Sequence, residues 1–174
     1  MFTVLVNNAE QTRAVGAALA TVVRGGDLIM LTGDLGTGKT TLTQGLGQAM
    51  GVRGRVASPT FIIARVHPNS DGPDLVHVDA YRIGDLDDLE TLDLDTSLPE
   101  SVVVVEWGDG KTEALTEDRL HITLELEGAQ DTSGADLSQI DSGARRLTFR
   151  GFGSRWMDED GLRAVVDKAV EAAQ

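Results

Sequence analysis

The fold is decided by the stretch Gly33-Asp34-Leu35-Gly36-Thr37-Gly38-Lys39-Thr40, which fits the pattern G-x-x-x-x-G-K-[ST] of the phosphate-binding P-loop. The apolar run 28–31 stands directly before this loop and predicts a strand. After the loop, apolar side chains at positions 42, 46 and 50 repeat at helical spacing. Strand, glycine-rich loop and helix in this order hold a nucleoside triphosphate, because unpaired N–H groups at a helix N-terminus attract an anion.

Two residues of this loop have predicted tasks of their own. The ammonium group of Lys39 is expected to bridge the β- and γ-phosphates, and the hydroxyl of Thr40 is expected to ligate Mg²⁺. The competing interpretation is a glycine-rich turn that merely opens a helix. A Lys-Thr pair in register after an apolar strand favours the nucleotide site.

The composition is that of a single globular domain, so we expect one domain over 1–174. Hydrophobic residues make up 41% of the chain, yet no run approaches the roughly 18 apolar residues of a membrane span. Residues 1–6 lack the basic start and long apolar centre of a signal peptide. The chain has no cysteine, which excludes a disulfide framework, a thiolate metal site and a cysteine nucleophile. We therefore predict a cytoplasmic protein without membrane contact.

The net charge of −13 opposes a broad electrostatic grip on a phosphate backbone. Strong direct nucleic-acid binding is therefore not expected, and if RNA is involved, another chain is expected to hold it. Solubility alone explains the acidity equally well, so the charge does not decide the function.

The pattern along the chain predicts an α/β fold. Asn8 begins a capping-box sequence ahead of a first helix, and Gly51 ends the helix of the P-loop. Strands are predicted at 61–66, 75–79, 101–106, 120–126 and 146–150, with a hairpin loop between the first two. Three further segments are predicted as a short helix in the acidic stretch 85–95, a flexible loop at 128–143 and a C-terminal helix extension at 156–173. We expect the three-layer P-loop NTPase fold, with a mixed, mainly parallel central sheet and antiparallel edge strands.

Two of the predicted strands end in an acid, as phosphoryl chemistry at a P-loop requires. Asp79 ends one strand and Glu106 ends the most β-branched run, so both are expected at the ligand edge of a parallel sheet. We assign Asp79 to the metal and Glu106 to the attacking water, because glutamate reaches further. The residues leave the reverse assignment open, which makes Glu106 a metal candidate too. Either carboxylate also has a structural alternative, the capping of the next turn.

Four other side chains are weaker candidates. Thr60 follows a Ser-Pro pair at a position where P-loop enzymes commonly place a γ-phosphate sensor, although such a turn also forms for local reasons. Trp107 either walls the site or packs in the core. Arg82 either reads phosphate charge or pairs with the acids of 85–95. His77 is interpreted as a structural histidine rather than a base.

Missing motifs narrow the class of enzyme. The chain has no Asn-Lys-x-Asp run for reading guanine and no Leu-Ser-Gly-Gly signature, which disfavours a Ras-like GTPase and an ABC-type ATPase. A small-molecule kinase stays open, with four arginines as candidates for a lid: Arg145, Arg146, Arg150 and Arg155.

A combination of motifs points to one family. They are Gly33 to Thr41, Ser58-Pro59-Thr60-Phe61, His77-Val78-Asp79-Ala80-Tyr81-Arg82 and Val105-Glu106-Trp107. In this order the chain resembles the small ATPase of bacterial tRNA threonylcarbamoyladenosine synthesis, known as TsaE or YjeE, over about residues 8–150. It departs from that pattern at Gly108, where proline is frequent, in the long loop 128–143 and in the added C-terminal helix.

The resemblance implies a Mg²⁺-dependent ATPase that works with the TsaD and TsaB proteins. Those proteins place a threonylcarbamoyl group on the adenosine beside the anticodon, so this chain would meet tRNA only indirectly. By the same resemblance, Asp79 is a metal-associated acid, Glu106 and Trp107 serve ATP hydrolysis, and Glu10 and Thr12 lie near the adenine.

Three hypotheses of different classes therefore remain. The first is an accessory ATPase that is slow alone and faster when partner proteins order the site. The second is a small-molecule P-loop kinase, which requires an acceptor pocket beside the γ-phosphate. The third is a binding module whose nucleotide state only switches partner affinity, so that Glu106→Ala would leave partner function intact.

Overall fold

The structure, a computed structural model, describes residues 1–59, 64–82, 98–107, 116–127 and 143–173. Within these ranges the α-helices are α1 (Ala9–Ala20), α2 (Lys39–Met50) and α3 (Glu159–Ala172). The strands form one sheet and are β1 (Phe2–Val6), β2 (Leu28–Thr32), β3 (Ala64–His67), β4 (Asp74–Asp79), β5 (Ser101–Glu106), β6 (Arg119–Leu126) and β7 (Arg145–Phe152). No helix in this part of the chain has the length and apolar character that a membrane span requires.

The sheet is mixed, with strand order β1-β7-β6-β2-β5-β4-β3. At its centre β2 runs parallel to β5 and β6, and β4 runs parallel to β5. The outer pairings of β3 with β4, β7 with β6 and β1 with β7 are antiparallel. Continuous apolar runs explain why β2 and β5 lie at the centre, since both faces of these strands are buried. The predicted α/β fold with a mixed sheet and antiparallel edges is confirmed.

Most predicted strands lie where the pattern placed them. The hairpin of β3 and β4 is present. Residues 60–63 lie outside the described residues, so β3 is described from Ala64 onward. Strands β6 and β7 lie at the predicted positions and pair antiparallel. The edge strand β1 was not predicted, because its five residues lack a turn signal on their N-terminal side. The predicted helix within 85–95 and almost all of the predicted loop 128–143 lie outside the described residues.

All three described helices pack on one face of the sheet, in a core that includes Val15, Leu42 and Val166. Helices α1 and α2 cross unusually closely at two glycines. A Cβ at Gly16 would stand 2.1 Å from a backbone oxygen of α2, and a Cβ at Gly45 would stand 2.1 Å from a backbone oxygen of α1. This close crossing holds the N-terminal turn of α1 beside the P-loop.

The helix ends follow local side-chain chemistry. The Asn8 side chain accepts a hydrogen bond from the Gln11 N–H at 2.9 Å, as the capping sequence predicts. Gly51 ends α2 in a left-handed conformation with φ +77°. Helix α3 begins at Glu159 rather than at 156, because Asp158 caps it by accepting from the Gly161 N–H and residues 154–156 form a 3₁₀ turn.

Candidate nucleotide-binding site

A cavity of about 550 Å³ lies at the carboxyl ends of β2, β4 and β5, where open α/β sheets bind ligands. The P-loop forms its floor, the start of α1 one wall and the ends of β4 and β5 another. Its lining consists of Ala9, Thr12, Leu35, Gly36, Gly38, Lys39, Thr40, Thr41, Ser58, Asp79, Tyr81, Glu106, Trp107 and Arg145. Most of the predicted site residues thus meet in one place.

The conformation of the P-loop depends on its glycines. Gly33 has φ +144°, and a Cβ there would stand 2.2 Å from the carbonyl oxygen of Leu124. Gly38 has φ +106° and leads into α2, whose N-terminus has no side-chain cap. The hydroxyl of Thr37 donates to the Asp34 carbonyl at 2.9 Å and closes the loop on itself. An uncapped helix start inside a closed glycine loop fits an anionic phosphate.

Lys39 is folded back over its own loop. Its Nζ donates to the carbonyl oxygens of Gly33 at 2.6 Å and Asp34 at 2.9 Å. The same atom lies 4.2 Å from the centre of the Trp107 ring, a cation–π contact. Burial lowers the pKa of Lys39 below its ordinary value, although the carboxylates of Glu106, Asp34 and Asp79 act in the opposite direction. A phosphate would therefore meet a positioned and partly desolvated cation.

Glu106 is the buried link between the P-loop and the sheet. The hydroxyl of Thr40 donates to Glu106 Oε1 at 3.0 Å, and His77 Nε2 lies 2.8 Å from the same oxygen. The Glu106 side chain is almost fully buried. The carboxylate that contacts the predicted Mg²⁺ ligand is thus Glu106, which keeps Glu106 a metal candidate as well as the candidate for orienting the attacking water.

Asp79 lies beside Glu106, because these two residues are register partners in the parallel pair of β4 and β5. It is buried and lines the cavity. Its carboxylate accepts a hydrogen bond from the Tyr81 N–H at 2.9 Å. Asp79 therefore caps the turn that follows β4, as the structural alternative proposed, and it also lines the cavity.

Trp107 has an unusual backbone. Its φ of +62° makes it the one residue other than glycine with positive φ in the part of the chain that the structure describes. The Trp107 N–H donates to the Leu31 carbonyl at 3.2 Å. The rings of Trp107 and Tyr81 pack edge to face, with their centres 5.5 Å apart. This turn places the indole over Lys39, so Trp107 walls the site.

Arg145 contributes to the site from β7, although the sequence suggested it only as a lid candidate. It is buried and lines the cavity, and its Nε donates to the Thr37 carbonyl at 3.2 Å. Arg145 occupies an inward position of the alternating strand β7. A charged residue at such a position was the sequence signal that could have identified Arg145 as a site residue.

The other proposed lid arginines have different contacts. Arg146 pairs with Glu127 on the surface, and Arg150 lies over the Phe152 ring. Arg155 forms a two-point ion pair with buried Asp27, which precedes β2 and therefore lies at the end of that strand opposite the P-loop. These three arginines do not line the cavity.

The remaining predicted site residues lie on α1, on the back of the P-loop and outside the described residues. Glu10 is exposed and does not line the cavity, whereas Ala9 and Thr12, one helical turn apart on α1, do. Gly33, Asp34 and Thr37 form the back of the loop and contribute carbonyl oxygens. Thr60 lies outside the described residues, while the neighbouring Ser58 lines the cavity.

The donor set fits a nucleoside triphosphate with Mg²⁺. Mg²⁺ is commonly held by one or two protein groups together with phosphate oxygens and water. Thr40 with Glu106 or Asp79 is such a set, and Lys39 with the uncapped start of α2 supplies the positive charge that phosphates require.

Comparisons with known proteins agree on one family. A family model described as threonylcarbamoyl adenosine biosynthesis protein TsaE matches residues 6–133. A Streptomyces coelicolor protein named tRNA threonylcarbamoyladenosine biosynthesis protein TsaE is 55% identical over 85% of this chain and 95% of its own length. A Bacillus subtilis protein of the same name is 34% identical over 86% of this chain and 85% of its own length. The crystal structure of Bacillus subtilis YdiB superposes with a TM-score of 0.69 at 29% identity, covering 96% of this chain and 94% of that one.

Proposed function

The chain belongs to the TsaE family and serves tRNA threonylcarbamoyladenosine synthesis, and from this premise we propose that it is a Mg²⁺-dependent P-loop ATPase. The chain alone would hydrolyse ATP slowly. Its ATP hydrolysis would support TsaD and TsaB, the proteins that transfer the threonylcarbamoyl group. The chain itself would not perform that transfer, and it would meet tRNA only through the complex.

The observation that carries this proposal is the contact between Thr40 and Glu106. A hydroxyl in the P-loop donates to a buried carboxylate at the end of the neighbouring parallel strand at 3.0 Å. P-loop NTPases place a Mg²⁺-associated acid at this position relative to the loop. Asp79 at the end of β4 is the register partner of Glu106 at the end of β5, so a second carboxylate lies next to the first.

The side chains divide the proposed work as follows. Thr40 with Glu106 or Asp79 would hold Mg²⁺, which would supply positive charge against the phosphates. Lys39 would leave the carbonyl oxygens of Gly33 and Asp34 for the phosphates, which are stronger acceptors for an ammonium group. Glu106 Oε1 holds Thr40, so Oε2 is the oxygen that would orient the attacking water. Trp107 would limit access of solvent to Lys39.

Two features support completion of the site by a partner. Leu35 at the tip of the P-loop is 84% exposed and Tyr81 at the cavity rim is 66% exposed, which leaves apolar surface around the opening. With a net charge of −13, the chain itself has little long-range attraction for tRNA. A protein complex that holds the tRNA and covers the cavity is consistent with both features.

The test compares Glu106→Ala with Glu125→Ala, a control on the exposed part of β6. Cells that depend on each variant are assayed for threonylcarbamoyladenosine in tRNA, and the purified variants are assayed for ATP binding and hydrolysis. We expect Glu106→Ala to bind ATP, to hydrolyse it at least ~100-fold more slowly, as for loss of a general base, and to fail in tRNA modification.

The same variant tests the hypothesis of a nucleotide-switched binding module. Normal tRNA modification by Glu106→Ala would favour a nucleotide-switched binding module over an ATPase. Of the four arginines proposed as the lid of a small-molecule kinase, only Arg145 lines the cavity, and its Nε donates to the Thr37 carbonyl. Arg146 and Arg155 are paired with Glu127 and Asp27 away from the cavity, which weakens the kinase hypothesis.

A further inference from the structure

His77 is a buried residue next to the candidate nucleotide site. It lies on β4, two residues before Asp79, and its side chain is fully buried. The sequence suggested only a structural histidine. Its Nε2 nevertheless lies 2.8 Å from Oε1 of Glu106, the carboxylate that holds Thr40.

One carboxylate oxygen therefore serves two donors. Thr40 Oγ1 lies 3.0 Å and His77 Nε2 lies 2.8 Å from Glu106 Oε1. An ionised carboxylate only accepts hydrogen bonds, so two donors at Oε1 require a His77 ring that carries a proton on Nε2. Its Nδ1 is buried without a hydrogen-bond partner, which agrees with an unprotonated Nδ1.

We propose that His77 is a positioning residue of the nucleotide site, which fixes Glu106 so that Oε1 holds Thr40 and Oε2 stays available to water. This proposal rests on the proposed ATPase function and deepens it. His77 acts through Glu106 and touches no substrate. The three side chains form a continuous path from the interior of the sheet to the P-loop: His77, Glu106 and Thr40.

The register of the sheet explains why a long side chain with an N–H donor is needed at this position. In the pairing of β4 with β5, His77 is opposite Val104, and Glu106 lies two residues further along β5. A long planar side chain can reach this diagonal neighbour on the same face of the sheet. An apolar residue would leave a nearly buried carboxylate with one donor fewer, and such a carboxylate gains by turning toward solvent.

The kinetic test uses the full chain with its partner proteins and three variants. His77→Leu removes the donor at similar volume, whereas His77→Gln keeps an N–H group. His67→Leu is the control, because His67 is a second buried histidine on the adjacent strand β3 and does not line the cavity.

We expect His77→Leu to lower kcat about 10- to 100-fold, because small displacements of reacting groups have effects of this size. The Kd for ATP should change less than about threefold, since the donors that hold the phosphates stay in place. His77→Gln should recover most of kcat, and His67→Leu should keep all of it. Wild-type kcat in His77→Leu, or an equal loss in the Leu and Gln variants, would overturn the proposal.

A second measurement does not depend on hydrolysis. The chain has three histidines, so ¹⁵N NMR of the labelled protein can resolve each ring, with His77 assigned by the signal that disappears in His77→Gln. A proton on Nε2 of His77 is expected. The tautomer with a proton on Nδ1 only would contradict the proposal, because its Nε2 cannot donate to Glu106. If the protein hydrolyses no ATP at all, the proposed function fails while this result still decides the contact.

Discussion

Trp107 combines an uncommon backbone conformation with a contact to the P-loop lysine. A residue of this size at φ +62° costs about 1–3 kcal/mol, and such strain is retained mainly at functional sites. At Trp107 this backbone conformation places the centre of the indole ring 4.2 Å from Lys39 Nζ.

This contact predicts a fluorescence signal for nucleotide binding. When phosphates draw Lys39 away from Trp107, the indole loses a nearby cation and its emission should change. The chain has only one other tryptophan, Trp156, which is buried in the core beside Arg155. Titration with ATP and Mg²⁺ should change the emission of wild-type protein and of Trp156→Phe. A signal that survives in Trp107→Phe would show that the indole does not report on Lys39.

His67 predicts a dependence of stability on pH. Burial lowers the pKa of His67 below its ordinary value, and its hydrogen bond with the Arg53 carbonyl only partly opposes this effect. The unfolded chain therefore binds a proton at pH values where the folded protein keeps His67 neutral. By linkage, the free energy of unfolding is lost as the pH falls from about 6.5 toward the lowered pKa.

Urea unfolding of wild-type protein and His67→Leu at pH 7.5 and 5.5 measures this dependence. The wild type should lose more stability between the two pH values than the variant does. Equal losses in both proteins would mean that His67 is not kept neutral by burial.

The crossing of α1 with α2 connects stability to the site at the level of elements. Gly16→Ala would place a methyl group 2.1 Å from the Leu42 carbonyl oxygen, and two rigid helices cannot yield by a side-chain movement. We expect a loss of about 1–3 kcal/mol or more in the free energy of unfolding, as for other overpacked cores. ATP affinity should fall as well, because α1 carries Thr12 in the cavity wall.

The control for this substitution is Gly72→Ala in the β3–β4 loop. There the added methyl group meets only the Asn69 side chain, at 3.3 Å. Urea unfolding and ATP titration of both variants give the comparison. Equal stability of the two variants would contradict the close crossing.

Strand β7 supplies a second connection between an element and the site. Arg145 is buried against the P-loop and its neighbour Arg146 is half exposed, so consecutive residues of one strand offer a matched pair. Arg145→Met should weaken ATP binding about tenfold, the size expected for a lost charged hydrogen bond, whereas Arg146→Met should bind normally. Isothermal titration with ATP and Mg²⁺ measures both, and similar affinities in the two variants would remove Arg145 from the site.

The elements that could be predicted are those whose signal is local. The P-loop and β5 each have their pattern within about ten residues, the β3–β4 hairpin has its pattern within residues 64–79, and the Asn8 cap is set by residues 8–11. The contacts that were missed join distant residues: β1 pairs with β7, and Arg145 reaches Thr37. His77 was interpreted as structural because its partner Glu106 is known only once the register of β4 and β5 is known.

At the scale of the whole molecule, the first and the last strand of the chain pair within one sheet. Strand β1 begins at Phe2 and β7 ends at Phe152 in the same sheet, and α3 packs against α1, where the Gln11 side chain donates to the Val170 carbonyl. We therefore propose a single domain. The C-terminal helix, predicted as an extension, contributes Leu162, Val166 and Val170 to the main core.

The central claim is that the P-loop site becomes an efficient ATPase only with partner proteins, and one measurement tests it most directly. ATP hydrolysis by the purified chain is measured alone and with the TsaD–TsaB pair, using wild type and Glu106→Ala. The predicted result is slow hydrolysis by the chain alone, a clear increase with the pair, and loss of that increase in Glu106→Ala. Rapid hydrolysis by the chain alone that the pair leaves unchanged would contradict the claim.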